Sequence, residues 1–333
     1  MKERNLGKRH EVWQHFSRVA SFRETIVFGI TIGLFVLFSV LSGGKFASSD
    51  VIGIMAIAAS ELGVVVLGVA LLMISGEFDL SVGSVSAVGA LAGAMLYQLG
   101  LNPFLATAIA IGCGICVGAV NGLLTVKFGI PSFIVTLGAL MSWRGLVTLV
   151  TGGQPLIFRV GETHPAFFSV FQGNFGKVSA PLIWFIVVVI ILGLLLHFHR
   201  FGNHVFATGG NKEAARSMGI NTNKTKLICF MIVGGLAAFS GILQSIRSRG
   251  FYAAQGDGME LIAIAATVVG GTSLFGGVGN IVGVTLGLLI IIFLQYGLIM
   301  IRVPGFWYKI VLGIIIIAVV IMDKILKQRG KLT

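Results

Sequence analysis

Apolar runs follow one another through almost the whole of this 333-residue chain, most of them about 17 to 24 residues long. A helix needs about 20 such residues to cross roughly 30 Å of hydrocarbon. Only 11% of the residues are charged, against about 25% in soluble domains, and the mean hydropathy is +0.98. The runs lack the alternation of a β-barrel. The fold class is therefore an all-α integral membrane protein, with about ten transmembrane helices expected at 25–41, 51–74, 82–99, 103–126, 130–150, 181–198, 227–246, 259–270, 281–300 and 306–322. The eighth is too short to cross alone, so it either extends through Gly271 or is a broken helix.

The net charge of +12 does not point to nucleic acid, because the basic residues sit in loops and at the chain ends, where they set membrane orientation. With the N-terminus inside, sixteen Lys and Arg fall in cytoplasmic segments and six in external ones. Both termini are thus expected in the cytoplasm. The domain reading is a basic N-terminal segment (1–24) with no cleavable signal, a single transmembrane domain (25–323) and a basic tail (324–333). Within the domain lie an external loop (151–180) carrying exposed Phe and a cytoplasmic loop (199–226). The stretch "NKEAARSMGI" in the latter reads as a short helix across the cytoplasmic face. Cys113 and Cys116 form C-x-x-C inside a span and read as packing residues, not as half a zinc site. No metal site is expected from His197, His199 and His204, which lack nearby Cys or carboxylate.

Two glycine-rich helix breaks stand out. "SGEFDLSVGS" begins at Ser75, and "GGTSLFGGVGN" begins at Gly270 and includes Gly271, Thr272 and Ser273. At an offset of 194, Gly76, Gly83, Gly89 and Gly93 align with Gly270, Gly277, Gly283 and Gly287. The alignment is either a parallel internal repeat or a coincidence in a chain with 47 glycines. Irregular backbone at membrane depth persists only where protein or a water-filled cavity satisfies it, so Gly76, Gly83, Gly276 and Gly277 are given a backbone role. Asp79 and Ser81 precede a helix starting near Val82, and either can cap it.

Glu61 falls inside the second run, where an unpaired carboxylate costs several kcal/mol; Arg144 is the only evident buried cation, and the two are expected to pair. Asn121 and Thr136 are polar groups that serve either as interhelical bonds or as contacts for a hydroxylated solute. Together with Glu77, Asp79, Ser81, Gly270, Gly271, Thr272 and Ser273, these form the candidate pathway or gating set.

Four motifs occur in an order that carries a resemblance: "GEFDLSVGS", "IPSFIVTLGALMSWRGLVTLVTGGQP", "GGNKEAARSMGI" and "ELIAIAATVVGGTSLFGGVGN". The chain resembles permease subunits of ribose-type sugar ABC importers, in the superfamily that includes branched-chain amino acid permeases. The resemblance implies a bacterial inner-membrane subunit that imports a pentose, hexose or polyol by alternating access. It implies three partners: a cytoplasmic ABC ATPase, a periplasmic or lipid-anchored sugar-binding protein, and a second permease subunit, either a copy or a relative. Glu213, Ala214, Ala215, Arg216 and Gly219 match the family's Glu-Ala-Ala and Gly signature, whose loop docks on the ATPase. The chain has no G-x-x-x-x-G-K-[ST] phosphate loop. It is thus not expected to hydrolyse ATP itself; the resemblance implies a transport subunit, not an enzyme, with no cofactor of its own, ATP and Mg belonging to the partner ATPase. The commoner family form is "GGIDLSVGS", so Glu77 and Phe78 are departures, and Glu61 stands where an apolar residue is usual. The rival readings are a branched-chain amino acid permease and an ion-coupled carrier using Glu61.

Overall fold

The computed structural model describes residues 24–328. The expected N-terminal segment up to residue 23 and the tail from residue 329 lie outside the described residues. Helices α1 (Glu24–Leu41), α2 (Ser49–Ile74), α3 (Val82–Gln98), α4 (Pro103–Phe128) and α5 (Ser132–Thr151) come first. Strand β1 (Leu156–Ile157), helices α6 (Val160–Thr163) and α7 (Pro165–Gln172), and the hairpin of β2 (Asn174–Phe175) with β3 (Val178–Ser179) lead to α8 (Ala180–His197). Next come α9 (Arg200–Gly210), α10 (Lys212–Ser217), α11 (Thr222–Arg247), β4 (Gly250–Phe251), α12 (Met259–Val269), α13 (Ile281–Met300) and α14 (Phe306–Gln328).

Seven of these helices are long and apolar enough to cross a membrane: α1, α2, α4, α5, α8, α11 and α13. The apolar stretches of α3, α12 and α14 are shorter. Local chemistry sets the boundaries. Asn102 accepts from the Phe104 N–H at 3.0 Å and Pro103 opens α4, while Gly129 closes it in the left-handed region at φ 69. α12 does not extend through Gly271. It stops at Val269, and Gly271 turns the chain away at φ 91.

The core is built around α11, which lies against α2, α3 and α4. Small residues bring the backbones together. A Cβ on Gly234 would sit 2.2 Å from Gly114 O, one on Gly118 2.2 Å from Phe230 O, and one on Gly241 2.0 Å from Ser86 O. Such contacts are how helices associate where lipid gives no hydrophobic drive. α2 is apolar all round and buried through most of its length, as expected of an interior helix.

The segment from 151 to 180 differs from expectation. It forms α6, α7 and a hairpin, and β1 pairs antiparallel with β4, Leu156 opposite Phe251. Its Phe167 and Phe171 are buried, where exposure was expected, because they join an aromatic cluster with Phe104, Trp184 and Phe239. Phe175 is exposed. The internal alignment is not kept residue by residue: an offset of 194 from Val82 gives 276, yet α13 starts at Ile281.

Gly234→Val should destabilise the protein by about 2 kcal/mol or more, since no rotamer escapes the Gly114 carbonyl. Gly112→Ala, whose Cβ meets nothing within 4 Å, should melt as the parent does. Thermal unfolding in detergent checks both.

Candidate functional site

Three glycine segments from distant parts of the sequence meet at the end of the bundle that carries α10. The first follows α2, where Gly76 takes φ 87 and the Glu77 N–H returns to Leu72 O at 3.3 Å, a glycine-closed helix end. The second is Gly209 and Gly210, the last residues of α9. The third is Gly276 and Gly277, between α12 and α13. The Gly277 N–H donates to Ile74 O at 2.8 Å. A Cβ on Gly209 would lie 1.8 Å from Ile74 O and 2.7 Å from Gly277 N, and one on Gly276 2.8 Å from Gly76 Cα. Only residues without side chains fit this junction. The Gly209–Gly210 pair opens the motif "GGNKEAARSMGI", but its part in this junction was not read from the sequence.

One residue, Asn211, separates that pair from α10. Asn211 caps it, accepting from the Ala214 N–H at 3.0 Å, and Gly219 ends it at φ 82. Ala215 is buried and anchors the helix. Arg216 is engaged within the chain, its Nε donating to Thr222 Oγ1 at 3.1 Å and Nη2 to Asn223 Oδ1 at 3.2 Å. That ties α10 to the start of α11. The Glu213 side chain is 81% exposed and Met218 is exposed beside it. Partial burial, and after it the charges of Lys226 and Arg216, hold the Lys212 ammonium below the usual lysine range.

The turn between α2 and α3 is tied down by polar contacts. Asp79 is buried, and its Oδ1 accepts from the Ser81 N–H at 2.7 Å and from Ser81 Oγ at 2.6 Å. Asn121 Nδ2 on α4 donates to the same Ser81 Oγ at 2.9 Å. Asp79 thus fixes the residue before α3 and does not reach the helix's own free N–H groups. Ser81 makes no capping bond either. The Phe78 N–H donates to Ser132 Oγ at 3.2 Å, whereas Thr136 only returns its hydroxyl to Ser132 O within α5. Gly270 packs against Gly283, and Thr272 and Ser273 are buried in the third glycine segment. The cluster therefore unites Glu77, Asp79, Ser81 and Asn121 on one side of the junction with Gly271, Thr272 and Ser273 on the other; Thr136 lies one helical turn along α5 from Ser132.

The expected pairing of Glu61 with Arg144 is not formed. Glu61, 3% exposed, faces α11, and Arg247 Nε holds its two oxygens at 2.8 and 3.1 Å. Gln172 Nε2 on α7 adds a bond at 3.2 Å. Arg144 points instead to the segment before α12, bound to Ala253 O, Gln255 O and Asp257. Nor is Arg144 the most buried cation. Lys226, 8% exposed, meets Glu77 at 2.5 Å. Both unusual carboxylates thus find their cations on α11, one at each end.

The family described as "Branched-chain amino acid transport system / permease component" matches residues 51–320. The chain belongs to this family. It is therefore a multi-pass membrane permease and not an enzyme. It is similar to the ribose import permease protein RbsC of Escherichia coli (strain K12), 34% identical over 296 residues, covering 87% of this chain and 90% of the relative. The inner membrane ABC transporter permease protein YjfF of the same organism is 36% identical over 306 residues (89% and 91%). The L-arabinose transport system permease protein AraH, also from that organism, is 34% identical over 277 residues (83% of each chain). No solved structure matches the chain.

Arg247→Met leaves the Glu61 carboxylate buried without its counter-charge. Losing one partner of a fully buried pair costs about 3 to 5 kcal/mol; with Arg247 half-exposed, about 2 kcal/mol is expected. The double substitution Glu61→Met with Arg247→Met should recover most of that loss. A double-mutant cycle followed by unfolding in detergent reads the difference.

Proposed function

We propose that the chain is the pore-forming permease of an ATP-driven importer for a small sugar. In this reading it spans the bacterial inner membrane ten times with both termini in the cytoplasm. The α10 end is cytoplasmic, and the α9–α10 loop docks on a separate ATPase that binds ATP and Mg. A sugar-binding protein delivers solute at the opposite end, and a second permease subunit completes the pathway. The names of the relatives, ribose and L-arabinose permeases at 34% identity, support a sugar over a branched-chain amino acid. Glu61, occupied by Arg247 and Gln172, is poorly placed to load and release a proton, which weighs against an ion-coupled carrier.

The observation that carries the mechanism is the glycine junction. A displacement of α10 passes through Gly209 and Gly210 to the turn after α2 and the segment before α13 with no flexible side chain between. Packed elements of this kind shift between discrete arrangements instead of deforming smoothly. ATP binding at the partner can favour one access state only by contacting the loop differently in the two states.

Glu213→Ala removes the exposed carboxylate of α10. Gly219→Pro demands φ near −65° where the chain takes φ 82. Both variants should remain in the membrane, lose the co-purifying ATPase and show sugar uptake at background. Normal uptake by both contradicts the docking assignment.

A further inference from the structure

After β4 the chain turns back along the bundle before α12 begins. Gln255 Nε2 donates to Gly241 O at 2.6 Å, and its Oε1 accepts from Ser245 Oγ at 2.9 Å. Gly256 lies against the start of α3: a Cβ on Gly83 would be 2.2 Å from Gly256 O and 2.6 Å from Glu260 Oε2. From α5, Arg144 Nη1 donates to Ala253 O and Gln255 O at 2.7 and 2.8 Å, and Nη2 meets Asp257 Oδ1 at 3.0 Å.

The depth of this turn decides its meaning. Gly83 is about 15 residues from Gln98, roughly 22 Å along α3, and Arg144 about 7 residues from Thr151, roughly 10 Å along α5. Gln98 and Thr151 mark the end of the bundle that carries α7; Gln98 Nε2 bonds Ile157 O there at 3.4 Å. Residues 253–257 therefore lie at the depth of the spanning helices. Yet the Asp257 side chain is 63% exposed, Glu260 is partly exposed, and so is the backbone around them. Hydrocarbon solvates neither a carboxylate nor irregular backbone. This face therefore needs water or a polar partner against it.

We infer that the turn lines the aqueous sugar pathway, between this permease and the second permease subunit, with the Asp257 and Glu260 carboxylates as the hydrogen-bonding surface for a small polyhydroxylated solute and with Arg144 and Gln255 holding that surface in place. The inference rests on the sugar-importer reading and gives it a site. Every sugar hydroxyl both donates and accepts. The carboxylates accept, and Arg144 holds the turn in place while leaving Asp257 open on its outer side. A surface open on one side binds weakly, as a conduit requires.

The test uses the assembled complex of permease, ATPase and binding protein in proteoliposomes, in a background with Cys113, Cys116 and Cys229 replaced by Ala. Asp257→Cys and Glu260→Cys should react with a membrane-impermeant thiosulfonate at least about tenfold faster than Ile190→Cys on the apolar outer face of α8, because a thiol reacts as its hydrated thiolate. With ribose as probe, Asp257→Asn should lower uptake about tenfold while ATP hydrolysis and protein level stay at the parent's value. Unreactive thiols at 257 and 260 in the complex, becoming reactive only when the subunits separate, would make the face a dry interface and overturn the inference. Parental ribose uptake by Asp257→Asn would overturn the contact with solute. A parent protein that carries no ribose counts against the sugar reading alone, and the labelling still decides whether the turn faces water.

Discussion

Everything in this bundle is arranged around the lateral contact of α11 with its neighbours. Lipid provides no hydrophobic force between apolar helices, so their association depends on close packing and on the few polar bonds available. α11 uses both. Glycines on α4 and α11 bring backbones into direct contact, and two ion pairs fasten α11 to α2 and the turn that follows it. Arg247 at one end holds Glu61, and Lys226 at the other holds Glu77. Between them Ser240 Oγ donates to Glu61 O at 2.6 Å. Because the desolvation of buried charges offsets much of their attraction, such pairs add little net stability. Their effect is on register: α2 and α11 do not slide past each other without exposing a buried carboxylate to hydrocarbon.

That fastening makes the pair a strut between the two ends of the protein. The α10 loop joins α11 at Arg216, Thr222 and Asn223, and the turn after α2 joins the glycine junction. At the far end, Glu61 and Gln172 connect the strut to α7. A rigid element with one end under the α10 loop and the other beside α7 is what the proposed permease, driven from outside itself, requires.

The sequence was most legible where single-helix rules act alone. The starts of α3, α4, α12, α13 and α14 were placed from apolar runs, Pro103 and flanking glycines, and α10 from its bounding Gly residues. What failed were statements about which helix faces which. Glu61 was paired with Arg144 because both lie in spans, but burial on a helix face is decided by tertiary packing that no local pattern encodes. Asp79 was read as a cap from its spacing, yet Ser81 takes its oxygen before α3 begins. The phenylalanines of α7 looked exposed because their loop is rich in Gly and Pro; they are buried by Phe104 and Trp184, which come from elsewhere in the chain. The glycine breaks were visible as composition, while their meeting with Gly209 is a long-range fact.

The central claim is that movement of the α10 loop reaches the pathway through backbone contact at the glycine junction. The measurement that tests it most directly is the number of ATP molecules hydrolysed per ribose imported by Gly209→Ala in the reconstituted complex. The added methyl lies within 1.8 Å of Ile74 O and forces the junction apart. The account predicts an assembled complex that still hydrolyses ATP while uptake falls sharply, so the ratio rises. An unchanged ratio at parental uptake would contradict it.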